Sequence, residues 1–167
     1  MFNGSSYLLD RHLAAGDGAR LALTGPLGDY TFAQLHDRVR RTASGLRDIG
    51  LQPEQRVVLF MADGPDFVTI YLAAMRIGAV PVPVSTMLHA DGLAELLRDS
   101  RARLLAITRE FVAIAAEAAA DAPELVGLIG PFGTEHLPVH GLDALSAATA
   151  MPSTIKIAEG KREIIGT

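Results

Sequence analysis

Two hydrophobic patterns alternate along this chain: short runs of consecutive apolar residues, and longer segments in which apolar residues recur every three or four positions. The short runs at residues 56–61, 80–84, 104–107 and 125–129 predict strands, and the segments between and after them predict helices. Runs without polar alternation, such as RVVLFM, are typical of parallel strands buried on both faces. The pattern predicts an α/β fold, a doubly wound and mostly parallel sheet with helices on both faces.

Local motifs predict where several helices begin. Thr31 and Gln34 have the spacing of a capping box at the start of a helix that runs to about residue 49. Asp63 is the predicted cap of the next helix, with Pro65 in its first turn. Thr108 is the predicted cap of a helix through the alanine run to residue 120. Upstream, residues 7–15 predict a short helix, and residues 21–24 and 29–31 predict two strands around the turn GPLG.

The last part of the chain has a different character. Prolines and glycines at residues 130–141 predict a loop, followed by a helical turn at residues 142–147. Residues 1–150 contain no lysine, whereas residues 151–167 contain Lys156 and Lys161. We therefore predict one domain over residues 1–150 and a divergent tail over residues 151–167, which has the pattern of a short hairpin. The tail could be a sequence introduced in cloning, a change of reading frame or a divergent natural segment.

Composition narrows the classes of protein to consider. A length of 167 residues suits one domain, and 49% hydrophobic residues are enough to form a core. The net charge of −4 argues against a nucleic-acid-binding protein. The chain has no cysteine, which fits a cytoplasmic protein and excludes disulfides and thiolate ligands. Neither a signal peptide nor an apolar stretch of membrane-spanning length is evident.

The usual phosphate-binding motifs are absent from the sequence. Neither the three-glycine dinucleotide fingerprint nor the phosphate loop that ends in glycine-lysine is present. The helix that follows RVVLFM could bind an anion at its first turn, but Asp63 and Asp66 already place carboxylates there. We interpret both aspartates as capping residues. No catalytic residue can be assigned from these motifs.

The histidines and arginines give no metal site. His136 and His140 are four residues apart, but Pro138 between them interrupts any helix, so we predict no metal site. The remaining histidines, at positions 12, 36 and 89, are isolated, and surface or cap positions are expected for them. The arginines at positions 38, 40 and 41 are interpreted as a solvated helix face.

One loop has functional promise. Ser85, Thr86 and Met87 follow the strand at residues 80–84, and ligands of open α/β sheets bind beyond the carboxyl ends of strands. We take these three residues as a substrate-adjacent loop, with an ordinary strand-to-helix turn as the alternative. Pro81 and Pro83 within the strand favour an edge position, because proline has no amide to donate to a neighbouring strand.

Several segments, in order and spacing, resemble the N-terminal part of adenylate-forming acyl- and aryl-CoA synthetases, and benzoate-CoA ligase in particular. The segments are YTF at residues 30–32, DGPDF at 63–67, GAVPVPV at 78–84 and DSRA at 99–102. The resemblance covers about residues 5–150. It implies the N-terminal subdomain of an enzyme that uses ATP and Mg²⁺ to convert a carboxylic acid into an acyl-adenylate, from which coenzyme A displaces AMP.

The sequence also departs from this family. The Ser/Thr/Gly-rich phosphate loop and the C-terminal lysine of the family are not in this chain, and Ser85 stands where an asparagine is usual. The resemblance therefore implies a leading fragment that is inactive alone and completed by the missing remainder of a ligase. The alternatives are a stand-alone α/β binding or interaction module, prone to self-association through bare apolar surface, and a generic flavodoxin-like domain.

Overall fold

The computed structural model describes residues 3–130 and 139–146. Its strands are β1 (Leu21–Leu23), β2 (Tyr30–Thr31), β3 (Arg56–Phe60), β4 (Val80–Pro83), β5 (Ala102–Ile107), β6 (Gly127–Ile129) and β7 (Val139–His140). Its helices are α1 (Gly4–Ala14), α2 (Phe32–Asp48), α3 (Pro65–Arg76), α4 (Ala90–Asp99), α5 (Val112–Ala120) and α6 (Leu142–Ser146). The predicted tail at residues 151–167 and His136 lie outside the described residues.

Five strands form a parallel sheet in the order β4-β3-β5-β6-β7, and β1 and β2 form a separate antiparallel pair. The chain passes from β3 to β4 on one side, then crosses back to β5 on the other side of β3. The strand β7 lies within the segment predicted as a loop. Two residues are too few for a hydrophobic period to reveal a strand, so the sequence did not indicate it.

Helices cover both faces of this sheet, which confirms the doubly wound prediction. On one face Val57 and Leu59 pack in a core with α1, α2, α3 and α6. On the other face Val58 and Phe60 pack in a second core with α4 and α5. The uninterrupted apolar run of β3 is explained by this arrangement, because successive side chains of a strand point to opposite faces.

The helix α2 begins as its sequence predicts. Thr31 Oγ1 accepts a hydrogen bond from the Gln34 amide at 3.2 Å, and Gln34 Oε1 accepts one from the Thr31 amide at 2.9 Å. This reciprocal pair satisfies two amides that the first turn of a helix leaves without partners. The apolar face of α2 is buried through Leu35, Val39 and Leu46.

The prolines of β4 are explained by its position. Among the strands that the structure describes, β4 is at the edge of the sheet, as predicted. Val80 donates its amide to Gln55 O at 2.8 Å, and Val84 donates to Leu59 O at 3.2 Å. Pro81 and Pro83 occupy the intervening positions, whose backbone faces away from β3. Proline at these positions removes the amides that the free edge would otherwise present.

A buried polar cluster joins three helices on one face. The side chain of Arg76 on α3 is fully buried, and that of His36 on α2 is 7% exposed. Both contact Asp10 on α1. The prediction of a surface or cap position is therefore wrong for His36. Its position on α2 lies beside the apolar stripe, next to Leu35, and a single sequence does not show that a neighbouring helix covers it.

Candidate functional site

A crevice opens where the loops that follow β3 and β5 diverge. The helix α3 follows β3 on one face of the sheet, and the helix α5 follows β5 on the other face. Such a change of direction separates the carboxyl ends of neighbouring strands and is where open α/β sheets bind ligands. The crevice has a volume of about 590 Å³, within the range of small-molecule sites.

The walls of the crevice come from five parts of the fold. They are the β1–β2 pair, the β3–α3 loop with the start of α3, the β5–α5 loop, the end of β6 and the start of α6. The lining residues are Leu27, Tyr30, Met61, Ala62, Asp63, Gly64, Pro65, Asp66, Ile70, Ile107, Thr108, Arg109, Glu110, Ile129, Gly130, Gly141, Leu142 and Asp143. Apolar side chains from the sheet and helices are interspersed with charged side chains from the loops and from the first turns of α3 and α6.

Thr108 links the two diverging loops. Its Oγ1 accepts a hydrogen bond from the Ala62 amide at 3.0 Å, across the gap between β5 and β3. The prediction that the Thr108 side chain caps a helix is wrong, because its hydroxyl makes no cap hydrogen bond. A short 3₁₀ turn over Arg109–Phe111 separates Thr108 from α5. The hydroxyl therefore fixes the geometry of the crevice floor.

Asp63 also has a different role from the predicted one. Pro65 is the first residue of α3, so the cap position is Gly64, and no side chain caps this helix. The prediction that Asp63 caps α3 is wrong by one residue, since the carboxylate precedes the cap and lines the crevice instead. Leu27 lies close above Gly64, where an added Cβ would be 3.0 Å from Leu27 Cδ1.

Asp66 forms an ion pair at the mouth of the crevice. Arg38 Nη2 donates to Asp66 Oδ1 at 2.7 Å, and Arg38 Nη1 donates to Tyr30 Oη at 3.2 Å. The Arg38 guanidinium also lies 5.5 Å from the centre of the Tyr30 ring. The interpretation of Arg38 as part of a solvated face is therefore wrong. This contact joins α2, α3 and β2 on one side of the opening.

The charge around the crevice is predominantly negative. Among its lining residues, four are acidic and one is basic: Asp63, Asp66, Glu110 and Asp143 against Arg109. A polyphosphate at the start of α3 would face Asp63 and the Asp66–Arg38 ion pair, and the Asp63 carboxylate opposes the attraction of the helix N-terminus for anions. The crevice as described favours a neutral or apolar group over a phosphate.

The loop predicted from sequence lies at the same end of the sheet but outside this crevice. Ser85, Thr86 and Met87 follow β4 and are exposed, and Met87 is 87% exposed. Ser85 Oγ accepts a hydrogen bond from the Met87 amide at 3.2 Å, which shapes a tight turn. Their proximity to a substrate stays a prediction.

Sequence reasoning missed the crevice itself. The residues that follow β5, and Leu142 and Asp143 at the start of α6, carry no motif. The position of the crevice could be inferred only from the topology of the sheet, because the carboxyl ends of adjacent parallel strands meet at one end of a sheet.

Among the described residues, no group of three or more His, Cys, Asp or Glu side chains could hold a metal ion. No helix among them is long and apolar enough to cross a bilayer.

Comparison with known proteins identifies the family. The model of the AMP-binding enzyme family matches residues 10–154 of this chain. The chain belongs to the AMP-binding enzyme family. Among curated relatives of this family member, a 4-hydroxybenzoate-CoA/benzoate-CoA ligase of Rhodopseudomonas palustris is 36% identical over 128 residues, which are 77% of this chain and 24% of that protein. A benzoate-CoA ligase of Thauera aromatica is 34% identical over 153 residues, 91% of this chain and 28% of that protein.

Solved structures support the same assignment of fold. A benzoate CoA ligase from Burkholderia xenovorans superposes with a TM-score of 0.79 and 28% identity, over 90% of this chain and 29% of that one. An anthranilate CoA ligase in complex with anthranoyl-AMP superposes with a TM-score of 0.81 at 24% identity, over 92% of this chain and 29% of that one. This member of the AMP-binding enzyme family thus spans about a quarter of the length of the curated relatives it matches.

Proposed function

We propose that residues 1–150 are the N-terminal subdomain of an ATP-dependent acyl- or aryl-CoA ligase and that this chain has no adenylating activity by itself. One observation carries the proposal: the family match covers residues 10–154, yet the chain corresponds to only 24–28% of the two ligases. The parent reaction would consume a carboxylic acid, ATP with Mg²⁺, and coenzyme A. Benzoate and 4-hydroxybenzoate are the first acids to test, since these two relatives are ligases for them.

The residues present support the inactivity of the chain alone. Residues 1–150 provide no lysine and no glycine-rich phosphate loop to hold the phosphates of ATP. The acidic side chains around the crevice would also repel them. Within the complete ligase, this chain would place the ends of β3 and β5 next to the segments that bind the nucleotide.

The test is an assay of the purified chain with ATP, Mg²⁺ and benzoate, in which pyrophosphate release and benzoyl-adenylate are measured. The Thauera aromatica ligase, assayed at the same concentration, serves as the positive control. We expect the chain to give no signal above a protein-free sample. Release of pyrophosphate that depends on benzoate would contradict the inactivity of the chain.

The crevice supports a second candidate, a binding module that acts without catalysis. Its volume of about 590 Å³ is sufficient for an aromatic ring, and its floor is apolar through Met61, Ile70 and Ile107. Because the acidic lining opposes a carboxylate, the probe is benzamide, the neutral analogue of benzoate. Titration of the chain with benzamide, monitored at the Ala62 amide by NMR, distinguishes the two candidates. Saturable shifts without turnover favour the module, and unchanged shifts favour the incomplete ligase.

A further inference from the structure

The cluster of Asp10, His36 and Arg76 is the most completely buried set of ionisable groups that the structure describes. Arg76 Nη1 donates to Asp10 Oδ1 and Arg76 Nη2 donates to Asp10 Oδ2, both at 3.0 Å. His36 Nε2 lies 3.0 Å from the same Asp10 Oδ1, at ion-pair distance but without the alignment of a hydrogen bond. The carboxylate of Asp10 is therefore in contact with both the Arg76 guanidinium and the His36 ring.

We propose that Asp10, His36 and Arg76 form a pH-sensitive latch, which holds α1 against α2 and α3 when His36 is neutral and releases it when His36 is protonated. The proposal goes beyond the ligase assignment, because it concerns the attachment of the first helix to the fold. It rests on the geometry of the three side chains and on the way α1 is held.

Few apolar contacts hold α1 in place. Its fully buried residues are Leu9 and Ser5, whereas Tyr7 and Leu8 are 50% and 45% exposed. Polar contacts add to this attachment: Asp10 binds Arg76, and Asn3 Nδ2 donates to Met75 O at 2.9 Å. Elements with little buried apolar surface open at lower free energy than the core, so α1 can detach while the sheet stays folded.

Protonation of His36 adds a cation where solvation is poor. The side chain of Arg76 is fully buried, and that of Asp10 is only 26% exposed. The charged groups whose fields reach His36 are Asp10 on α1, Arg76 on α3 and Arg40 on α2. Asp10 is already bound by both Arg76 nitrogens, so a protonated His36 would share a partner with a second cation. Movement of α1 away from the cluster separates Asp10 from both cations, and it admits the water that solvates them.

The titration of His36 agrees in sign with this geometry. Burial lowers the pKa of His36 below its usual value of 6.5, Asp10 opposes that shift, and Arg76 and Arg40 add to it. A lowered pKa in the closed state means that opening is linked to proton uptake. The closed state is therefore fully favoured above pH 6.5 and loses this stabilisation as the pH falls through the His36 pKa of the closed state.

Hydrogen exchange read by mass spectrometry tests the latch, with exchange times adjusted for the intrinsic pH dependence of amide exchange. The chain is labelled at neutral and at acidic pH, and protection is compared between peptides from α1 and from α4 and α5. Three proteins are compared: wild type, His36→Gln and the matched control His12→Gln. His12 is a histidine of α1 that contacts α2 outside the cluster, since its ring stacks on Phe32 with centroids 4.0 Å apart.

We expect α1 of the wild type and of His12→Gln to lose protection at acidic pH while α4 and α5 keep theirs. In His36→Gln, the protection of α1 should not change with pH. The proposal is overturned if α1 of the wild type stays protected at acidic pH, if α1, α4 and α5 lose protection together, or if His36→Gln behaves as wild type.

A second measurement needs no variant and applies if His36→Gln does not fold. The ring protons of His36 are followed by NMR through a pH titration of the wild-type chain, together with the amide of Asp10. Release of α1 by His36 requires the ring titration and the Asp10 amide change to share one midpoint. Separate midpoints would overturn the proposal.

Discussion

Arg76 and Asp10 are 66 residues apart in sequence, yet they form a bidentate ion pair with both N–O distances at 3.0 Å. The guanidinium is fully buried, and the carboxylate that neutralises it comes from the first helix of the chain. The position of α1 against α3 therefore depends on this ion pair as well as on apolar packing.

Asp10→Asn should lower the free energy of unfolding by on the order of 3 kcal/mol, because it leaves the Arg76 charge buried without its counter-ion. Urea denaturation at neutral pH measures the change. Asp37→Asn is the matched control, since Asp37 pairs with Arg41 at 2.8 Å on the exposed side of α2. Its effect should stay below about 0.5 kcal/mol. Equal effects of the two substitutions would refute a special role for Asp10.

Gly45→Ala should destabilise the chain by roughly 1–3 kcal/mol, because it overpacks the contact between α2 and α6. An added Cβ at Gly45 would lie 2.6 Å from Leu145 O and 2.8 Å from Leu145 Cα. Backbone atoms cannot move aside as a side chain can. Gly92→Ala in α4 is the control, where the added Cβ would meet only Leu88 Cδ2, at 3.4 Å.

Thermal or urea unfolding measures the stability of the two alanine variants against that of the wild type. Gly92→Ala should leave stability unchanged or raise it by up to about 1 kcal/mol, since alanine favours helix over glycine. A Gly45→Ala variant as stable as Gly92→Ala would show that α6 does not pack on Gly45 in solution.

Thr108→Val should lower stability by about 1–2 kcal/mol and speed exchange of the Ala62 amide, because it removes the hydroxyl that accepts this amide. Thr108→Ser keeps the hydroxyl and should preserve the protection of Ala62. Residue-resolved hydrogen exchange provides the measurement. If Ala62 is equally protected in the valine and serine variants, the bridge between the β3 and β5 ends does not form.

Replacement of both Pro81 and Pro83 by alanine should increase self-association, because it gives the edge strand β4 two outward amides that can pair with another strand. Sedimentation velocity over a range of concentrations would show a steeper rise in average mass than in wild type. Pro123→Ala, at an exposed turn, is the control and should behave as wild type. An unchanged mass for the double variant would mean that the prolines do not protect this edge.

The alternation of strands and helices was predictable, because burial on both faces leaves uninterrupted apolar runs such as RVVLF in β3. The capping box of Thr31 and Gln34 was predictable because it depends on neighbours in sequence. The predicted cap at Asp63 was wrong by one residue, since Pro65 sets the start of α3. Thr108 does stand at the cap position of the 3₁₀ turn before α5, but its hydroxyl accepts the Ala62 amide and makes no cap hydrogen bond.

The crevice and the buried cluster could not be derived from local patterns. Both depend on which elements meet after folding. Asp10 and His36 look like ordinary polar positions of amphipathic helices until α1 is placed across α2 and α3. The ion pair of Arg38 with Asp66 joins residues 28 apart and has the same origin.

A chimeric ligase tests the central claim most directly. Residues 10–154 of this chain replace the equivalent segment of the Thauera aromatica benzoate-CoA ligase, and formation of benzoyl-CoA from benzoate, ATP and coenzyme A is measured. The same ligase without that segment is the negative control. We predict that the chimera forms benzoyl-CoA and that the truncated ligase does not. A chimera that unfolds cooperatively, and is therefore folded, yet forms no thioester would contradict the assignment of this chain as a ligase subdomain.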